Sequence, residues 1–265
     1  MDLMEITRRV ADRFSPEVGV RALFVAGSVG AGTQDAWSDL DLVAVAEPEH
    51  HEAVAAAFAE AVGGVSPVVM RRERLGRASL VNLVTEDWRR CDLFLARADA
   101  FLAQKRARDR LRPLLDRDGL HDRLPEALPP AKPDPKRVAF LVEEFICVLG
   151  LLPVGLGRRE HVLLVTGAGL LRDLLRDLML EECPVPDRGG MLHLSRLLTP
   201  EQMAVLEALP YPRPNREEAI AAHVAIARAF LPLARRMTAE LGLAWPKAFE
   251  VATRAHLRRA GVILD

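Results

Sequence analysis

The sequence predicts an α/β (α+β) domain built on one mixed sheet, followed by an all-α helical bundle. Three observations carry this. Short apolar runs that end at glycine, proline or charge alternate with helical periods through the first half. A proline-rich stretch, "LPEALPPAKPDPKR", then interrupts the chain, and its prolines deny the hydrogen bonds of helix and sheet. Beyond it every segment has a helical period. The expected domains are therefore residues 1–128 and 129–265.

Taken in order, residues 3–14 place Leu3, Ile6, Val10 and Phe14 at helical spacing. "RALFVAG" reads as a buried strand closed by glycine, and "LDLVAVA" as a second strand. "PEHHEAVAAAFAEAVG" is a helix opened by Pro48 and closed by Gly63 and Gly64. "SPVVMRRER", "ASLVNLVT" and "WRRCDLFLA" supply three further β segments, enough for one sheet. In the second half, helices are predicted over 136–151, about 159–182, 200–208, 215–241 and 246–260. Thr199-Pro200-Glu201-Gln202 is a start signal, with Thr199 as cap, Pro at the first position and Gln at the third. Pro232 predicts a kink or a break in the fourth of these helices.

Bulk properties narrow the function classes. The formal net charge is −1, so no global field draws the chain onto a nucleic-acid polymer or an anionic membrane. The three cysteines, Cys91, Cys147 and Cys183, are widely spaced and odd in number. They fit neither a zinc site nor a disulfide framework and read as small core residues. "MDLMEITRRVADRF" is amphipathic rather than signal-like, and the longest apolar run, "FICVLGLLPVGLG", is short for a bilayer and holds a proline. The expected compartment is the cytoplasm, with no membrane partner.

The chemistry concentrates in "LFVAGSVGAGTQDAWSDLDLVAVA". On a strand, Asp39 and Asp41 project to one face with Cα atoms roughly 6.5–7 Å apart, and Leu40 and Leu42 pack behind them. Carboxylates set into an apolar strand require a cation to repay their desolvation. Paired acids at that spacing can hold divalent ions about 3.5–4 Å apart, and oxygen ligands favour Mg²⁺. Gly27-Ser28 closes the preceding strand and is expected to open a short helix through Val29–Thr33. The N-terminal N–H groups of that helix, with the Ser28 hydroxyl, would seat a phosphate. The stretch lacks the Gly-Lys-Ser/Thr ending of a P-loop and fits no Gly-x-Gly-x-x-Gly register. Asp92 sits between Cys91 and "LFLA" in another strand-like run and is expected to join the same cluster, the alternative being a salt bridge to Arg89 or Arg90.

Gly27-Ser28, Asp39-Leu40-Asp41 and a third acid at Asp92 together resemble the nucleotidyltransferase superfamily of DNA-polymerase-β type. A catalytic domain followed by a bundle is similar to the antibiotic nucleotidyltransferases, the lincosamide and aminoglycoside groups among them. "FLVEEFICVLGLLPVGLGRREHVLLV" and "AFEVATRAHLRRA" look like bundle helices of that group. The resemblance implies transfer of AMP from ATP, or of another nucleoside monophosphate from its triphosphate, to a hydroxyl of a small acceptor. It implies two Mg²⁺ ions, one shared by Asp39, Asp41 and Asp92 and one held by Asp39 and Asp41, with Gly27 and Ser28 on the triphosphate. Homodimer pairing is compatible with it. Two rival readings stand beside it, a protein-AMPylating, antitoxin-like enzyme and a non-catalytic nucleotide-binding module. The first fits a shorter chain, and the second leaves three acids repelling one another without metal.

Other residues are weighed and set lower. Glu144, beside Glu143 in an apolar helix, is a candidate general base or acceptor contact; adjacent helix residues diverge by about 100°, so only one of the pair can serve. Arg158, Arg159 and Glu160 read as surface charge, and the seven histidines show no ligand spacing. Trp37 reads as a loop residue covering the core edge, with a nucleobase as the alternative.

Overall fold

Short apolar runs in the first half pair into one six-stranded sheet, in the order Val68–Arg74, Ser79–Thr85, Arg90–Ala96, Leu40–Ala46, Val20–Val25, Arg112–Asp116. The computed structural model describes residues 3–14, 19–76, 78–186 and 193–264. The chain divides into two compact units, Met1–Pro129 and Pro130–Asp265.

The first unit runs α1 (Leu3–Phe14), β1 (Val20–Val25), α2 (Gly27–Gly30), β2 (Leu40–Ala46) and α3 (His51–Gly63). It continues through β3 (Val68–Arg74), β4 (Ser79–Thr85), β5 (Arg90–Ala96), α4 (Ala98–Ala103) and β6 (Arg112–Asp116). Strands β2 and β5 are parallel, and every other pair is antiparallel. Strict alternation then sorts the side chains. Leu40, Leu42 and Ala44 of β2 join Cys91, Leu93 and Leu95 of β5 in a core with Ile6, Val10, Val54 and Phe58 from α1 and α3. The opposite face buries Val43, Val45, Ala96, Phe24 and Phe101 in a smaller cluster, where the rings of Phe24 and Phe101 stack 5.0 Å apart. Asp41 and Asp92 fall on this second face by parity. His51, which opens α3, is buried, with Nδ1 2.8 Å from Ser79 Oγ and Nε2 3.2 Å from the Ala46 carbonyl. It ties α3 to the sheet. β6 has no forerunner in the sequence reading, because "RPLLD" opens on Arg and Pro; a proline is tolerated there since β6 is an edge strand.

The second unit is helical: α5 (Pro135–Gly150), α6 (Leu152–Arg158), α7 (His161–Glu181), α8 (Leu194–Leu197), α9 (Pro200–Ala208), α10 (Arg216–Glu240) and α11 (Lys247–Arg259). Its core draws Leu141, Phe145, Leu171, Leu175, Ile226 and Phe230 from α5, α7 and α10. The Phe145 and Phe230 rings stack with centroids 3.7 Å apart. Thr199 and Gln202 form the capping box expected of α9.

Three expectations are corrected here. The helix placed over 159–182 begins only at His161, because Arg159 adopts a left-handed conformation (φ +60°) that closes α6. Pro232 does not split α10, whose flanking Phe230, Leu231, Ala234 and Met237 are all buried and hold the helix together across the missing N–H. Cys147 is exposed, whereas Cys91 and Cys183 are buried. The apolar run is also longer than "FICVLGLLPVGLG" suggests. Pro135–Arg158 has the length and apolarity of a bilayer span, but Val138, Leu141, Val142, Phe145, Ile146 and Leu149 pack into the bundle core, as a buried helix requires.

Candidate active site

Register builds the site. Asp41 of β2 lies directly opposite Asp92 of β5 in the parallel pair, so two acids from distant sequence share one face of adjacent strands. Asp39 precedes the first residue of β2 rather than lying inside the strand as expected. Its carboxylate nevertheless reaches the same place. One oxygen from each of Asp39, Asp41 and Asp92 lies within 4.8 Å of the others. Asp39 is 33% exposed and Asp92 18%, which leaves the cluster open to solvent on one side.

The glycine of Gly27-Ser28 has a specific reason to be glycine. Its φ is +58°, and a Cβ built there would lie 2.0 Å from Asp41 Oδ2. Only a residue without a side chain admits both the backbone conformation and the carboxylate's approach. The turn is tied to the acid strand by Ala26 N–H, which donates to the Asp41 carbonyl at 2.8 Å. Ser28 Oγ is buried with no hydrogen-bond partner. An orphaned hydroxyl one residue after the glycine that meets Asp41 is a donor without an acceptor. The expected helix through Thr33 is, however, a single turn, Gly27–Gly30. One turn aligns too few peptides for a macrodipole, so the hydroxyl and the turn, rather than a dipole, carry the anion-binding argument.

Two further residues shape the cluster. Asn82, paired with Asp92 across β4 and β5, donates Nδ2–H to Asp92 Oδ1 at 2.8 Å. Arg90, two residues before Asp92 and so on its face, donates to Asp92 Oδ2 at 3.2 Å and stands 3.6 Å from Asp39 Oδ2. The two readings of Asp92, cluster member and arginine partner, hold together; Arg89 pairs instead with Asp87. A protein cation at the cluster also answers the objection that idle acids would only repel one another. Asn82 escapes the sequence reading because nothing local marks it. Arg90 is visible only as one of two adjacent arginines.

Cys91 points the other way, into the main core. Burial, then the nearby Asp92 and Asp39 charges, push its thiol up to about 12, so no thiolate competes for a metal. The ligand set is oxygen only, which suits a hard divalent cation. Trp37 does not cover the core edge. It is 92% exposed on a loop fixed by Asp35, whose Oδ1 accepts from Trp37 N–H at 3.0 Å and from Ser38 Oγ at 3.2 Å. Glu144 stands half-buried on α5 of the second unit beside the exposed Glu143, with no ion pair or side-chain hydrogen bond among the described residues.

Comparison with known proteins adds three findings. A family model described as streptomycin adenylyltransferase matches residues 2–260. No curated protein sequence matches the chain. Among solved structures, an aminoglycoside 6-adenyltransferase from Bacillus subtilis is similar at 15% identity over 96% of this chain and 95% of that one, with a TM-score of 0.43.

Proposed function

The chain belongs to the streptomycin adenylyltransferase family and is a nucleotidyltransferase; on that premise we propose that it transfers AMP from ATP to a hydroxyl of an aminoglycoside, using two Mg²⁺ ions. The observation that carries this is the meeting of Asp39, Asp41 and Asp92 within 4.8 Å, with the unpartnered Ser28 hydroxyl on the turn that meets Asp41.

In this reading the three carboxylates would hold the ions, with Asp41 and Asp92 on one sheet face and Asp39 just ahead of β2. When bound, the ions supply Lewis-acid activation of the acceptor hydroxyl and compensate charge on the departing pyrophosphate. Asn82 fixes the rotation of the Asp92 carboxylate by binding one oxygen, leaving the other turned to the cluster. Ser28 would donate a hydrogen bond to a phosphate oxygen, and Gly27 gives the turn its close approach to Asp41. These groups position the reactants more than they react. Glu144 is proposed as the base or cation-binding contact for the acceptor. An unpaired, half-buried carboxylate suits an amino sugar, whose ammonium groups need counter-charges.

The test is incubation with Mg-ATP and a panel of aminoglycosides that includes streptomycin. The expected product is an acceptor heavier by one AMP. Asp41→Asn should lower the rate by about a hundred- to a thousandfold with the melting temperature little changed. Acceptors left intact across the panel, or AMP found on a protein instead, would defeat the small-molecule reading.

A further inference from the structure

We propose that Arg90 is the resident counter-ion of the acid cluster, displaced when divalent metal enters, so that it sets the metal affinity of the site. The inference rests on the metal-dependent reading above and deepens it.

The geometry places one guanidinium across two of the three acids. Its Nη1 lies 3.6 Å from Asp39 Oδ2 and its Nη2 3.2 Å from Asp92 Oδ2. The other Asp92 oxygen accepts from Asn82, so a metal binding Asp92 meets a carboxylate whose two oxygens each already hold a protein donor. Guanidinium and metal would therefore compete for the same carboxylates. They cannot share them, because a divalent cation in contact with those atoms would repel a guanidinium hydrogen-bonded to the same groups.

The arrangement also permits release. Arg90 is the first residue of β5, and its side chain is 44% exposed on a long flexible stem. It can swing outward without uncovering core. Lysine in its place would keep the charge but lose the planar fork that spans two carboxylates. Without metal, Arg90 offsets the mutual repulsion of the acids; with metal, its departure is a cost that lowers the apparent affinity.

The experiment compares full-length wild type, Arg90→Gln and Arg90→Lys by Mn²⁺ titration in the absence of nucleotide and by melting in EDTA. Arg90→Gln is expected to bind Mn²⁺ about three- to fivefold more tightly, the size of a partly exposed ion pair, and to melt lower in EDTA. Arg90→Lys should fall between the two. Mn²⁺ affinity that is equal or weaker in Arg90→Gln overturns the Arg90 proposal alone, provided wild type binds the ion. Failure of wild type to bind Mn²⁺ overturns it together with the metal-dependent reading. Should Arg90→Gln fail to fold, Arg90→Lys decides: affinity unchanged from wild type counts against the proposal, and tighter binding supports it.

Discussion

At the scale of single residues, the site depends on an atom that is absent. Gly27 holds φ at +58°, and Asp41 Oδ2 occupies the place its Cβ would take. Gly27→Ala combines a left-handed backbone, worth about 1–2 kcal/mol, with a forced shift of a cluster carboxylate. A misplacement near 1 Å can cost about a hundredfold in rate. The variant should therefore melt somewhat lower and lose about two orders of magnitude in AMP transfer, read by melting and by product mass. An activity equal to wild type would show that Asp41 need not stand where it does. Asp41 and Asp92 were legible because a carboxylate inside an apolar strand declares itself in the sequence, whereas Asp39 lies just ahead of β2. Asn82 was not, since its importance comes only from the register that sets it across from Asp92. The exposure of Trp37 was equally hidden, because a loop's local hydrogen bonds to Asp35, rather than its composition, decide where the ring goes.

At the scale of elements, period and caps read well and interruptions read poorly. The capping box of α9 followed directly from Thr199 and Gln202, but Arg159 ended α6 through a backbone conformation that no residue type announces. Of the kink or break expected at Pro232, the break does not occur, and α10 runs on through a buried stretch on both sides. Helix α10 also carries a pH-sensitive position. His223 is buried, donates Nδ1–H to the Ala219 carbonyl at 2.8 Å, and packs its Nε2 against Gly167 of α7. Burial holds its pKa below the ordinary value, partly opposed by the Ala219 hydrogen bond. A lowered histidine pKa means that the unfolded chain takes up the proton first. The stability it contributes is full above about pH 6.5 and is lost as pH falls toward the folded-state value. Between pH 7.5 and 5.5, wild type should lose up to about 1.3 kcal/mol more than His223→Gln, measured by urea titration at the two pH values. Equal losses would show that the imidazole titrates freely in the fold.

At the scale of the whole molecule, each hydrophobic cluster draws its residues from one of the two units. The proline-rich stretch runs across the division between them, and proline interrupts both kinds of backbone pairing at once. Phe145→Ala removes one partner of the stack with Phe230 and should destabilise the helical unit by about 3–5 kcal/mol. Trp245, half-buried in that unit, stacks on Arg235 and donates Nε1–H to Glu250 at 2.8 Å, and it gives the readout. In a Trp37→Phe/Trp88→Phe background its unfolding transition should move to lower urea, while Mn²⁺ titration before that transition stays as in the parent. Loss of Mn²⁺ binding in the folded variant would mean that the ion does not belong to the first unit alone. The parallel pairing of β2 with β5 has a last consequence, in time rather than in space. On the ribosome, Gly27, Ser28, Asp39 and Asp41 emerge well before Asp92, and the hairpin of β3 and β4 must come between them. A nascent chain halted ahead of β5 carries most of the signature but not the three-acid cluster. The three carboxylates meet only when a strand made late is threaded beside one made early.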